Sequence, residues 1–345
     1  MESVPLVETQ FDVLGIGNAI VDVIAPADDA SLESLGLAKG AMTLIDAKRA
    51  AELYAAMPAA IKSSGGSAAN TIACLASLGG RGAFVGKVRD DQWGEVFRHD
   101  IRALGIAFET RPATAGPPTA RCLVFVTPDA QRTMQTYLGA CVELAADDVS
   151  EREVAAASVT YLEGYLWDPP AAKRAFIKAA GIAHAAGRRV ALSLSDPFCV
   201  ERHRADFLDL VRNHVDILFA NEHEIMALYQ TERFDRAVDA VRADCAIAAL
   251  TRSERGSVIV TTNAVQTVAA EPVSQVVDTT GAGDAYAAGF LFGLTRGFDH
   301  AVSARTGSIA AAHVIGHLGA RPERPLDQVE SERLGTRLAE LTPRA

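Results

Sequence analysis

The feature that most constrains the fold of this chain is a rhythm. Short apolar runs rich in β-branched residues alternate with longer alanine-rich ones. The short runs fall at 11–15, 83–88, 122–127, 159–162, 190–194, 217–220, 246–251 and 257–262, and helix-like runs at 68–78, 171–186 and 205–212 lie between several of them. VALSL and DILFA are apolar throughout rather than alternating, as strands covered on both faces are. Such alternation predicts βαβ units, and so an α/β fold with a mostly parallel central sheet flanked by helices. With 49% hydrophobic and 22% charged residues, the 345-residue chain has the apolar content for the large core this sheet needs.

Two stretches break the rhythm, at about 21–45 and 105–141, the second containing PATAGPPTA. They read as β-hairpins or loops leaving the main sheet, a small lid inserted into one domain spanning 1–330. The polar, proline-containing residues from about Arg321 are expected to wrap the surface, with a C-terminal helix or tail over 331–345.

A formal net charge of −10 disfavours a nucleic-acid partner, whose footprint is a basic face. MESVPLVETQ lacks the basic and apolar regions of a signal peptide, and no run of 18 apolar residues predicts a membrane span. The five cysteines include no CxxC pair, so neither a disulfide framework nor a thiolate zinc site is expected, and a cytoplasmic setting fits.

Several motifs fall short of the chemistry they suggest. Gly15-Ile16-Gly17 opens like a dinucleotide fingerprint but has Ile20 where the third glycine belongs. Gly86-Lys87 is followed by Val88, not the Ser or Thr of a P-loop, and Ala69 replaces the last glycine of a nucleophile elbow. Asn221-Glu222-His223-Glu224 lacks the HExxH spacing for zinc.

Three stretches remain. VDTTGAGDA places Gly281, Ala282 and Gly283 directly before Asp284 and a helix-like run. Glycines there let amides turn inward at a positive helix end, an anion site with an acid set in it. Alone, the stretch reads equally well as a glycine turn before a capped helix. SGGSAAN sets Gly65, Gly66 and Ser67 before Asn70, either a close backbone approach to a hydroxylated ligand or a helix capped by Ser67. Asn18 and Asp22 follow the first strand, either accepting from vicinal hydroxyls or lying solvated in a turn.

Together, GGSAANTIACLASLGG and DTTGAGDAYAAGFL resemble the two signatures of the ribokinase, or PfkB, family of carbohydrate kinases, and the likeness runs from about Phe11 to Arg321. It implies a ribokinase-like α/β domain with a β-strand lid over the acceptor, and ATP-dependent phosphoryl transfer to a hydroxyl. Asp284 would then be the base, with Gly281, Ala282 and Gly283 forming the anion hole and Arg132 closing onto the phosphates. Asn18, Asp22, Gly65, Gly66, Ser67 and Asn70 would grip the acceptor. Asn221, Glu224, Thr251, Gly256 and Thr280 would border the nucleotide, with Glu224 near Mg2+, in part through water. Asp278 and Thr280 occupy positions that in some members hold a monovalent cation such as K+.

Within the family, GIGNAIVD, PPTARCLVFVTPDAQRT, TYLEGYLWDPP and LSLSDPFCVERH are most similar to the members that phosphorylate adenosine at its 5′-hydroxyl. Tyr137, Tyr165 and Trp167 are candidates for an aromatic slot for the base, Tyr165 foremost. A kinase of ribose, fructose, 2-keto-3-deoxygluconate, inosine or guanosine is the alternative acceptor reading. A non-catalytic nucleoside-binding protein and a nicotinamide-dependent oxidoreductase are the competitors of other classes. The resemblance allows a monomer or a homodimer formed through the lid.

Overall fold

A computed structural model describes residues 8–129 and 131–335. Among them thirteen strands follow in chain order: β1 (Phe11–Ile16), β2 (Ile20–Pro26), β3 (Met42–Leu44), β4 (Ile61–Gly65), β5 (Gly82–Val85), β6 (Ala120–Val126), β7 (Arg132–Tyr137), β8 (Ala157–Glu163), β9 (Arg189–Ser193), β10 (Ile217–Asn221), β11 (Ile247–Thr251), β12 (Ser257–Thr261) and β13 (Val265–Val268).

The main sheet has the order β13-β12-β11-β10-β9-β8-β1-β5. It is parallel from β5 through β11, and β12 and β13 run antiparallel at one edge. Helices cover both faces, so single strands feed two cores. Val13 of β1 packs on the side of the Ser67–Ser77 and Ala282–Thr295 helices, whereas Leu14 and Ile16 pack on the side of the Pro170–Ala185 and Pro197–Asn213 helices. That two-sided burial is why these strands lack polar alternation. The expected strand 83–88 stops at Val85, where the chain leaves the sheet.

The Ala282–Thr295 helix lies tightly against its neighbour His300–Val314. A Cβ on Gly289 would sit 2.6 Å from the Gly307 Cα, so the two backbones touch. The Leu326–Leu334 helix closes this side and buries Glu330, whose two carboxyl oxygens have no hydrogen-bond partner. Burial, with Glu271 adding repulsion, pushes that carboxyl up to about 9. The tail expected over 331–345 lies outside the described residues beyond 335.

The second sheet has the order β3-β7-β6-β2-β4. Its strands include β4, which lies outside the two stretches read as a lid, while 105–119 contributes no strand to it. β2 alternates as a half-covered strand should: Val21, Val23 and Ala25 are buried in the core, and Asp22 and Ile24 point to the opposite face. In register, Asp22 is flanked by Ser63 of β4 and Cys122 of β6.

Candidate active site

The site forms where two helices begin. The Ser67–Ser77 and Ala282–Thr295 helices bring their N-termini together, and the Ser67 hydroxyl donates to the Asp284 carboxylate at 2.6 Å. Ser67 is therefore not the cap of its helix. That position belongs to Gly66, which makes no side-chain cap bond and frees the serine for a partner 217 residues away. Gly66 has φ +97° with the Asn18 carbonyl 2.1 Å from where a Cβ would lie, so only glycine fits.

A second close approach explains the other glycine of the pair. A Cβ on Gly65 would fall 2.2 Å from an Asp22 oxygen, so this glycine makes room for the carboxylate. Asp22 and Asp284 are both raised to about 6 by burial. Arg321 and Arg132 oppose the shift at Asp22, and hydrogen bonds from Ser67 and Asn70 oppose it at Asp284.

Arg321 was not legible as a site residue. Instead of starting a surface wrap, it turns inward: Nε donates to Asn70 Oδ1 at 2.9 Å, and Nη2 donates to the Ser64 carbonyl and, at 3.0 Å, to its hydroxyl. Glu163, at the end of β8, was missed as well. It is 1% exposed, accepts from Asn18 Nδ2 at 2.6 Å and Asn18 N at 3.3 Å, and also accepts from Ala68 N at 2.8 Å. It thus ties the loop carrying Asn18 to the start of the Ser67–Ser77 helix. Burial raises it to about 7 against these hydrogen bonds.

Gly281 caps the other helix in the left-handed region at φ +78°, and a Cβ there would meet Ala320 at 2.6 Å. The Ala282 amide already donates to the Thr279 carbonyl at 3.2 Å. The amides of Gly281 and Gly283 stand at the helix start, where a helix supplies no acceptor and carries partial positive charge. A cavity of about 630 Å³ opens in front of them at the C-terminal ends of the strands. Asp284, Asn221, Glu224, Thr251, Gly256 and Thr280 line it. Asn221 caps the Glu222–Tyr229 helix, and its Nδ2 donates to Glu224 Oε1 at 2.6 Å. Burial raises Glu224 to about 7.

Of the three aromatic candidates, Tyr165 alone reaches this cavity. Its hydroxyl donates to the Ser195 carbonyl at 3.2 Å, which places the ring with the residues assigned to the nucleotide rather than beside Asn18 and Asp22. Trp167 is a core residue packed on Phe176 and Phe207. Tyr137 stacks on Arg121, on the sheet face opposite Asp22. Arg132 is buried: its side chain is 8% exposed and its Nε lies 3.0 Å from Asp278 Oδ2.

Asp278 fits a monovalent cation poorly. Oδ1 accepts the Thr280 amide at 3.0 Å, Oδ2 accepts the Gly319 amide at 2.9 Å, and the guanidinium already faces it. For magnesium, no group of three or more acidic, histidine or cysteine side chains converges among the described residues. Glu224 is an acid on the cavity wall suited to an ion carried in mainly by phosphates and water.

Phosphate-ready helix starts, an acid at their junction and an α/β sheet topped by a second sheet define a sugar- or nucleoside-phosphorylating class of fold. A family model described as "pfkB family carbohydrate kinase" matches residues 29–326, and the chain belongs to this family of ATP-dependent kinases. It is similar to the crystal structure of adenosine kinase from Sinorhizobium meliloti, with 55% identity, a TM-score of 0.86, and coverage of 95% of this chain and 100% of that one. The crystal structure of a probable sugar kinase from Rhizobium etli is 51% identical at a TM-score of 0.87, covering 95% and 99%. Adenosine kinase of Saccharomyces cerevisiae is 27% identical over 91% of this chain and 97% of its own. No helix among the described residues is long and apolar enough to cross a membrane.

Proposed function

We propose that the chain is an adenosine kinase that transfers the γ-phosphoryl group of ATP to the 5′-hydroxyl of adenosine. The observation that carries the chemistry is Asp284: a half-buried carboxylate at a helix start, raised to about 6, beside open first-turn amides. Such a group is ionised at neutral pH yet basic enough to take a proton in the transition state. The 5′-oxygen bonds to the γ-phosphorus, the bond to the β–γ bridging oxygen breaks, and the hydroxyl proton passes to Asp284. The Gly281 and Gly283 amides and the helix start stabilise the charge on the moving group.

On this reading Asp22 accepts from the ribose diol, with Asn18 and Asn70 completing the grip on the acceptor. Arg132 supplies positive charge from the second sheet. Magnesium, held mainly by the phosphates, would neutralise their charge, with Glu224 as its nearest protein acid. The choice of adenosine over a sugar rests on the 55% identity to the Sinorhizobium meliloti adenosine kinase. The likeness to a probable sugar kinase keeps ribose and fructose as the second reading.

Two measurements test this. Turnover with Mg-ATP is compared across adenosine, inosine, ribose and fructose, with adenosine expected to give the highest kcat/KM. A higher value for a sugar would refute the acceptor, and no turnover with any of them would favour a nucleoside-binding protein. Asp284→Asn is expected to keep folding and nucleoside binding while kcat falls by about 100-fold or more. Near-wild-type turnover in that variant rules out the base.

A further inference from the structure

Asp278 is the part of the anion-hole loop that phosphoryl transfer leaves unexplained. Its side chain is 5% exposed and both oxygens are held by backbone amides, Thr280 N at 3.0 Å and Gly319 N at 2.9 Å. A buried carboxylate held by neutral donors still needs a counter-charge. The resemblance to cation-holding family members would fill that need with potassium. Arg132 stands there instead, reaching from β7 of the second sheet with Nε 3.0 Å from Asp278 Oδ2. The contact is a charge pairing and not an aligned hydrogen bond, and Nη2 is buried without a partner. A guanidinium keeps its charge at any working pH and repels a second cation brought against the same oxygens.

We infer that Arg132 is the resident counter-cation of Asp278, in the place of a monovalent metal, so that the anion-hole loop is held in order by a side chain of the second sheet. The link to catalysis rests on the kinase reading, whereas the pairing itself does not. Two consequences follow from the geometry. The protein requires no potassium, and removing the arginine exposes a carboxylate that then seeks another cation.

The test melts and assays the whole protein in potassium chloride and in tetramethylammonium chloride at equal ionic strength. The wild type is expected to melt at the same temperature in both, with kcat/KM equal within about twofold. Arg132→Met is expected to melt lower in tetramethylammonium, and added potassium or the second change Asp278→Asn should recover part of the loss. Potassium activation of the wild type by about tenfold or more overturns the assignment. So does an Arg132→Met protein that melts like the wild type, or a double variant no more stable than Arg132→Met alone. Should Arg132→Met fail to fold, the comparison with the double variant decides. A protein that melts alike in both salts and phosphorylates no nucleoside refutes the substrate and supports the pairing.

Discussion

Glu163→Gln isolates what the buried carboxylate under Asn18 does. The substitution keeps volume and removes one acceptor. If the glutamine oxygen takes the position of Oε2, it keeps the amides of Asn18 and Ala68, and its NH2 then faces the Asn18 NH2 at what was a 2.6 Å bond. If it turns over, two buried backbone donors lose their acceptor. Either way an unsatisfied buried group costs about 1–3 kcal/mol. The escape is a flip of the Asn18 amide, which on the proposed reading inverts the polarity it shows to the acceptor. The acceptor KM is therefore expected to rise about 5- to 150-fold at pH 8, with kcat changed far less because Asp284 is untouched. Where Asn18 does not flip, the penalty falls on the fold, and at about 2 cal/mol/K per residue of unfolding entropy it lowers the melting temperature by about 1–4 °C. Because Glu163 itself protonates near pH 7, the wild type loses an acceptor as pH falls, and the gap between the two proteins should close below that point. Steady-state kinetics in adenosine at saturating ATP, with a melting curve, reads all three. Unchanged KM and melting temperature at pH 8 would refute the reasoning.

Further expectations follow from other contacts. Below about pH 6 kcat/KM should fall as Asp284 protonates, and because the Ser67 hydrogen bond lowers that pKa, Ser67→Ala should move the acid limb of the profile up by about one pH unit. Gly65→Ala drives a methyl into the Asp22 carboxylate, and the acceptor KM should rise by about 30-fold or more while ATP binding measured by calorimetry is retained. Glu330 has its folded pKa raised to about 9 from 4.5, so its stabilising protonated form is complete below 4.5 and lost as pH rises towards 9. Stability should decline over that range by up to about 1.4 kcal/mol per pH unit, read as a falling melting temperature, and Glu330→Gln should flatten it.

The doubly covered strands were legible because their environment is uniform. Apolar residues on both faces mark Ile217–Asn221 within one residue of its bounds. β4 was not, because IKSSG is exposed at its start and has no apolar alternation; pairing with β2 makes it a strand. The glycines and small polar residues at the two helix starts announced themselves by local spacing. Glu163 and Arg321 did not. Each acts across the fold, on partners 145 and 251 residues away, and nothing beside them in the chain distinguishes them from ordinary surface charges. Ser67 illustrates the middle case: the residue was found, but its role depended on a carboxylate 217 positions later.

The backbone contact between Gly289 and Gly307 has a mechanical consequence. Gly289 lies five residues, about 7.5 Å, along the helix that carries Asp284. At this point of the crossing backbone meets backbone, with the Tyr286 ring beside Gly307. A methyl group at position 307 would lie 2.6 Å from the Tyr286 carbonyl, so it pushes on the helix whose first turn carries Asp284. The crossing is thus a fulcrum, and two hydrogens in place of two methyl groups help set where Asp284 stands.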